Sequence, residues 1–283
     1  MGGLSAIKRY SYTLKSLSHV IVSPRSTMAF YLDALQDDSD EVFFKIGKKE
    51  CKIIYPFYRY GEYEVFSPSE ARYYIPGSSI KGVLCKTDMN PQSLFVDDVS
   101  QELTHEDFEV ISLKKSQYLG SLSEKPFPND IPKLVEFFEG VGIEAMKPGV
   151  TFSGNIGLAG DQNQANKIFM DTCRESGKRL GKYIQQIKNL REQTVKLKER
   201  DEKDNGINEQ RKDAYAYFEN QLDEVLKQLE SLKKAQILFL GGYKGLLRSV
   251  HSEAEGNLDY NSAVFVDKNF LPFGIVEYIG VQK

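Results

Sequence analysis

The sequence predicts an α+β protein in which a long helical hairpin interrupts a core of strands and short helices. Two observations carry this. Short β-prone runs bounded by Pro, Gly and Asn fill residues 7–156 and return in 236–250 and 262–281, whereas 163–235 repeats apolar residues at heptad spacing. A chain of 283 residues can bury one substantial core or two modest ones. The expected division is 1–162 as the first part of the core, 163–235 as the hairpin and 236–283 as the last part of the core.

The elements follow in order. Residues 7–22 finish in His19-Val20-Ile21-Val22 and read as a first strand closed by Ser23-Pro24. After an acidic stretch at 33–41, the runs 42–47 and 51–55 read as a β-hairpin across Lys48, Lys49 and Glu50. Tyr73-Tyr74-Ile75 ends a strand, Pro76-Gly77-Ser78-Ser79 turns the chain, and Ile80, Val83 and Leu84 predict a serine-capped helix. Residues 108–113 and 141–146 read as strands, and 150–156 as another beyond the Pro148-Gly149 turn.

Tyr183, Ile187, Leu190, Thr194 and Leu197 form one helical seam, and Phe218, Leu222, Val225, Leu229 and Leu232 form a second. The Asn205-Gly206 turn between them makes the pair antiparallel.

Composition narrows the function. Net charge is −3 and pI about 5.8, whereas a free-standing, indiscriminate nucleic-acid binder carries a basic excess to neutralise phosphates. Any RNA contact is therefore local, or shared with partner subunits. Cys51, Cys85 and Cys173 are scattered without a CxxC pair, which supports neither a zinc ribbon nor a disulfide framework. No metal or other cofactor is expected, and reduced thiols suit a cytoplasmic protein. No apolar run reaches the length of a membrane span, and no signal-peptide apolar region follows Lys8, Arg9 and Lys15, so no membrane partner is expected. Tyr and Phe number 16 and 17, a supply of flat rings that can pack a core or stack on bases.

Two segments can meet a phosphate backbone. In 74–84, helix-start amides, the Ser78 and Ser79 hydroxyls and the Lys81 ammonium suit an anion. A plain capped helix after a Pro-Gly turn accounts for the same residues, and the segment is not a Walker A loop. In 237–248, Gly241, Gly242 and Gly245 let a backbone approach a ligand closely. There Lys244 and Arg248 can neutralise phosphates, and Tyr243 can stack. An ordinary strand-to-helix turn is the alternative, and the lack of GxGxxG disfavours a dinucleotide.

Together these segments resemble the RAMP superfamily of CRISPR-associated proteins. There a strand leads into Ile-Pro-Gly-Ser-Ser-hydrophobic-Lys-Gly, as residues 75–82 do here, and a C-terminal Gly-rich loop follows. The similarity is greatest to the family of the fifth Csm subunit of type III-A effectors. Supporting it in order are Leu94-Phe95-Val96-Asp97-Asp98, residues 149–156, the helical region, Gly241-Gly242-Tyr243-Lys244-Gly245-Leu246-Leu247 and Leu271-Pro272-Phe273-Gly274.

The resemblance implies one or two ferredoxin-like (RRM-like) units and a non-catalytic subunit that binds crRNA and caps its 3′ end. It implies Ser78, Ser79, Lys81 and Gly82 as RNA contacts, with Gly241, Gly242, Tyr243, Lys244, Gly245, Arg248 and Arg25 as further ones. The implied partners are crRNA, other RAMP subunits (the backbone subunit above all) and host nucleases that mature the guide for antiviral defence.

Two other classes remain open at this point. A RAMP endoribonuclease would use His19 or His251 as acid or base, or Asp33 or Asp37 with a metal, for guide processing or target cleavage. Packing histidines and solvated acidic loops explain the same residues. An assembly subunit without RNA contact would use the hairpin. There, nine Lys or Arg face three Asp or Glu between Lys167 and Lys198, a surface for phosphates, for an acidic partner or for water.

Overall fold

The structure, a computed structural model, describes residues 6–24, 28–32, 45–46, 49–85, 94–100, 103–117, 133–137, 140–204, 209–242 and 265–283. The first strands are β1 (Lys8–Ser16), β2 (Phe30–Tyr31), β3 (Lys45–Ile46), β4 (Lys49–Glu50), β5 (Ile53–Tyr55), β6 (Arg59–Tyr60) and β7 (Arg72–Tyr73). Helix α1 (Gly77–Leu84) follows, then β8 (Leu94–Val96), β9 (Phe108–Ile111), β10 (Leu113–Gln117), β11 (Lys133–Phe137), β12 (Val141–Met146) and β13 (Thr151–Leu158). The chain continues through α2 (Gln162–Asp204) and α3 (Glu209–Ser231) to β14 (Ile237–Phe239), β15 (Phe265–Val266) and β16 (Ile275–Gln282).

The main sheet has the order β14-β16-β1-β13-β8, and every neighbouring pair is antiparallel. Within it β1, α1, β8, β13, α2 and β16 follow one another as β-α-β-β-α-β. The first of these strands lies between the fourth and the third, with the second at the edge. That is the ferredoxin-like arrangement, so the fold is α+β as the sequence predicts.

Alternation along β1 decides the faces: Tyr10, Tyr12 and Leu14 are buried, while Arg9 and Lys15 are exposed. The buried face packs against Ile80, Val83 and Leu84 of α1 and Ala165, Ile168 and Phe169 of α2.

β1 ends at Ser16 instead of continuing to Val22. The Ser16 hydroxyl donates to the Lys147 carbonyl (2.6 Å) and accepts from the Val150 amide (2.9 Å), which fixes the turn that holds Gly149 beside the strand end. Beyond it the chain crosses to a second sheet, ordered β2-β5-β12-β9, where Val20 pairs with Met146 at the end of β12.

One expectation changes here, and one connection becomes defined. Residues 51–55 do not form the expected hairpin: among the described residues Lys45–Ile46 pairs with Lys49–Glu50, while β5 runs parallel to β12. The strands on either side of Pro148-Gly149 enter different sheets, β12 beside β5 and β9, and β13 beside β1 and β8. In both cases the buried apolar face of a strand finds its partner far along the chain rather than across the nearest turn.

Helix α2 starts at a reciprocal cap, with the Gln164 amide donating to Asp161 and the Asp161 amide to the Gln164 side chain, each at 2.9 Å. All five residues of the first predicted seam are buried, as are Phe218, Leu222, Val225 and Leu229 of the second. Cross-helix ion pairs Lys188–Glu230, Arg191–Asp223 and Lys198–Glu219 run in opposite residue order, so the helices are antiparallel. The Asn205-Gly206 turn lies outside the described residues.

Candidate nucleic-acid interface

Strands β1, β8 and β14 point the same way, because each is separated from the next by one antiparallel strand. Their C-terminal ends therefore share one end of the sheet. A belt of hydrogen bonds runs along that rim. The Gly242 amide donates to the Ile21 carbonyl (2.8 Å), Tyr58 to Val22 (3.2 Å) and Tyr74 to Tyr58 (3.0 Å). Ile75 donates to Val99 (2.8 Å), and Gly77 to Asp98 Oδ1 (2.7 Å). The two segments singled out in the sequence thus lie at opposite edges of one rim.

At the first edge, Gly77 opens α1 where no side chain fits: a Cβ there would stand 2.2 Å from the Val96 carbonyl oxygen. No serine caps this helix. Pro76 holds the N-cap, the Gly77 amide donates to Asp98, and the Ser79 amide donates to the Pro76 carbonyl (2.8 Å). The helix N-terminus already holds an anion, the chain's own Asp98 carboxylate. A phosphate here would be met by side chains: Ser78 is exposed, Ser79 and Lys81 are half-buried, and Gly82 faces open space.

At the other edge, Gly241 has φ of +84°, and a Cβ would stand 2.2 Å from the Ile21 carbonyl oxygen. Its glycine is required by close packing on the segment that leaves β1. Gly242 follows on the same segment. Tyr243, Lys244, Gly245, Arg248 and Arg25 lie outside the described residues.

Between the edges stands a group of side chains that the motif reading missed. The short β6–β7 ladder pairs Arg59 with Tyr73 and Tyr60 with Arg72. Arg59 and Tyr73 point inward, and Tyr60 and Arg72 point outward. Inside, Glu144 accepts from Arg59 Nη2 and from the Phe57 amide, each at 2.8 Å, and from the Tyr73 hydroxyl. The Arg59 guanidinium also lies 5.2–5.7 Å from the ring centroids of Phe30, Phe66, Tyr63 and Tyr73. Burial pushes the Glu144 carboxyl above its ordinary value, against the pull of Arg59 and its hydrogen bonds. This network ties the hairpin that carries Tyr60 to β12 of the second sheet.

Outside, Tyr60 and Tyr74 stack with centroids 4.1 Å apart and planes 12° apart, and Tyr58 meets Tyr74 edge-on at 5.5 Å. The Tyr60 hydroxyl donates to Asp98 (3.2 Å), the same carboxylate that caps α1. Partial burial and the Asp98 charge raise both the Tyr60 and the Tyr74 phenol, so the rings stay neutral at physiological pH. The available signal in the sequence was the interleaving of rings with arginines in Phe57-Tyr58-Arg59-Tyr60 and Arg72-Tyr73-Tyr74.

His19 is fully buried, with Nδ1 2.9 Å from Asp267 and Nε2 2.8 Å from Glu109. It ties the end of the first strand segment to β9 and to the approach to β16, a packing role. Asp33, Asp37 and His251 lie outside the described residues. Among the described residues no three His, Cys, Asp or Glu side chains gather as a metal site. No helix among them is long and apolar enough to cross a membrane.

The chain is an α+β protein on a ferredoxin-like sheet with a helical hairpin. No family model matches it, and no curated protein is found similar to it. Among solved structures it is similar to a chain of a Csm–crRNA–target RNA ternary complex of a type III-A CRISPR-Cas system. Identity is 13%, coverage is 95% of this chain and 100% of that one, and the TM-score is 0.39. It is also similar to a chain of the type III-B Cmr-β complex bound to cognate target RNA, at 14% identity and a TM-score of 0.29. That match covers 59% of this chain and 51% of the other.

Proposed function

We propose that the chain is a non-catalytic subunit of a type III CRISPR effector complex that holds crRNA by its backbone and caps the 3′ end. The observation that carries this reading is the position of residues 75–82, the most specific family motif in the sequence. They open the helix of the first crossover of a ferredoxin-like sheet, with Ser78 exposed at the strand-end rim and Lys81 and Gly82 one turn further along the helix. Side-chain contacts from Ser78, Ser79 and Lys81, with the Gly241 turn at the far edge, would position RNA and leave sequence to the guide's own pairing. The partners in this reading are crRNA, the backbone RAMP subunit and host nucleases that trim the guide, all in the cytoplasm.

Affinity purification of the tagged chain from its host, with sequencing of bound RNA, tests it. Short repeat-derived guides and other RAMP subunits are the expected companions, and their absence overturns the reading. Lys81→Ala is expected to weaken RNA binding across all sequences and reduce the salt slope by about 1. Burial of the His19 ring between Asp267 and Glu109 supports a packing role for it over the acid–base role of the endoribonuclease reading.

A further inference from the structure

Beside the stacked tyrosines is an open cleft of about 500 Å³ lined by Tyr60, Arg72, Ser100, Leu103, Thr104 and His105. We propose that this cleft receives one unpaired base of a single-stranded RNA, stacked on Tyr60, with the adjoining phosphate on Arg72. The proposal deepens the RNA-binding reading and rests on it.

The shape and chemistry fit a flat heterocycle with an attached anion. Tyr60 is 43% exposed although Tyr74 covers one of its faces, so it offers a ring already braced from behind. Tyr60 and Arg72 are direct cross-strand partners on the outer side of the β6–β7 ladder, so ring and guanidinium stand side by side. That spacing places a base and its phosphate on neighbouring groups. The phosphate belongs on the Arg72 side, because Asp98 occupies the hydroxyl end of Tyr60. Ser100, Thr104 and His105 are exposed around the cleft and can donate to or accept from base edges and ribose hydroxyls. A volume of this size suits a small-molecule or nucleotide ligand.

The cleft is also built before any ligand arrives. The Tyr74–Tyr58 hydrogen bond extends the ladder that carries Tyr60 and Arg72, and the Ile75–Val99 bridge holds the chain next to Ser100. The far wall of the cleft is held by Asp107, which accepts from the Thr104 amide (2.8 Å) and hydroxyl (3.2 Å). A preformed stacking surface loses little conformational freedom on binding.

The test measures binding of the full chain to single-stranded RNA with one 2-aminopurine or one 5-iodouridine. Anisotropy reports total affinity, 2-aminopurine quenching reports stacking, and photocrosslinking locates the base. The wild type is expected to quench the fluorophore and to crosslink at Tyr60. Tyr60→Ala is expected to weaken binding about 5- to 150-fold, the range of one base–ring stack, and to abolish quenching. Tyr60→Phe, which keeps the ring, is expected to retain both. Arg72→Ala is expected to weaken binding and flatten its salt dependence by about one counterion. If Tyr60→Ala binds, quenches and crosslinks as the wild type while Lys81→Ala is weakened, the cleft proposal falls and the RNA reading stands. If the wild type binds no RNA, both fall.

Discussion

The strand-end rim and the helical hairpin distribute charge in opposite ways. The hairpin carries the visible excess of cations, yet six of the nine between Lys167 and Lys198 are engaged by the chain's own carboxylates. Lys167 and Arg174 meet Asp171, Lys178 meets Glu175, and Lys188, Arg191 and Lys198 meet Glu230, Asp223 and Glu219 of the facing helix. Asp171 and Glu175 are two of the three acids in that stretch, whereas Glu219, Asp223 and Glu230 lie in α3, outside the simple count along the sequence. The rim has fewer charges but arranges them by burial: Arg59 is enclosed and structural, and Arg72, the cross-strand partner of Tyr60 on the same ladder, is exposed beside a stacked ring. A run of cations on a helix is therefore a poor guide to phosphate binding when a second helix supplies the counter-charges. Alternation in a two-residue ladder is the better guide.

Breaking the enclosed pair should have the largest effect. Arg59→Ala leaves the Glu144 carboxylate buried without its charge partner, which costs about 3–5 kcal/mol in comparable sites. Urea unfolding of the two proteins measures it, and a loss below about 1 kcal/mol would show that Tyr73 and the Phe57 amide suffice. Next is Gly77→Ala, whose Cβ meets backbone rather than a movable side chain. A loss of about 1–3 kcal/mol is expected from the forced shift of α1 away from β8. The same substitution at Gly82, which faces open space, is expected to stabilise α1 slightly.

A smaller effect sharpens the comparison by pH. Burial pushes the Glu109 carboxyl up, but hydrogen bonds and charge from His19 and Lys268 outweigh it and hold the group below its ordinary value. The folded protein thus releases this proton more readily than the unfolded chain. Its contribution is present above the ordinary carboxylate range, about pH 4, and is lost as the pH falls through the lower folded value. Glu109→Gln is expected to cost stability at neutral pH, with the gap from the wild type closing on acidification. A constant gap would mean that the cost comes from packing alone.

How much of this was legible beforehand depends on where each partner lies in the chain. The seams of α2 and α3 are readable because helical periodicity is local, and all their predicted positions are buried except Leu232, half-buried just beyond α3. The helix after Pro76-Gly77 was readable for the same reason, but its cap was not, since Asp98 is 21 residues downstream of Gly77. Local pattern pairs residues 51–55 across the nearest turn, whereas their partners are β12 and β2. Tyr60 gave no periodic signal, because its outward direction follows from a ladder with residue 72 rather than from its own neighbours. Gly241 is legible as a close approach, although it approaches the chain's own Ile21 carbonyl, and Gly77, legible only as a turn residue, does the same with Val96.

The smallest expected effect tests the hairpin side directly. Arg191 engages Asp223 through two nitrogens, with the second contact at 2.9 Å, and the charge partner raises the guanidinium's already high value further. Both side chains are substantially exposed, at 37% and 47%, so solvent and salt screen the pair. Arg191→Ala is expected to cost at most about 1 kcal/mol, shrinking as salt rises, because the α2–α3 seam of Ile187, Leu190, Phe218 and Leu222 carries the packing. RNA affinity should be unchanged within error if the hairpin's cations are committed to its own acids. A fall in RNA affinity at constant stability would show that Arg191 leaves Asp223 for a phosphate, and the contrast between hairpin and rim would then fail at its first premise.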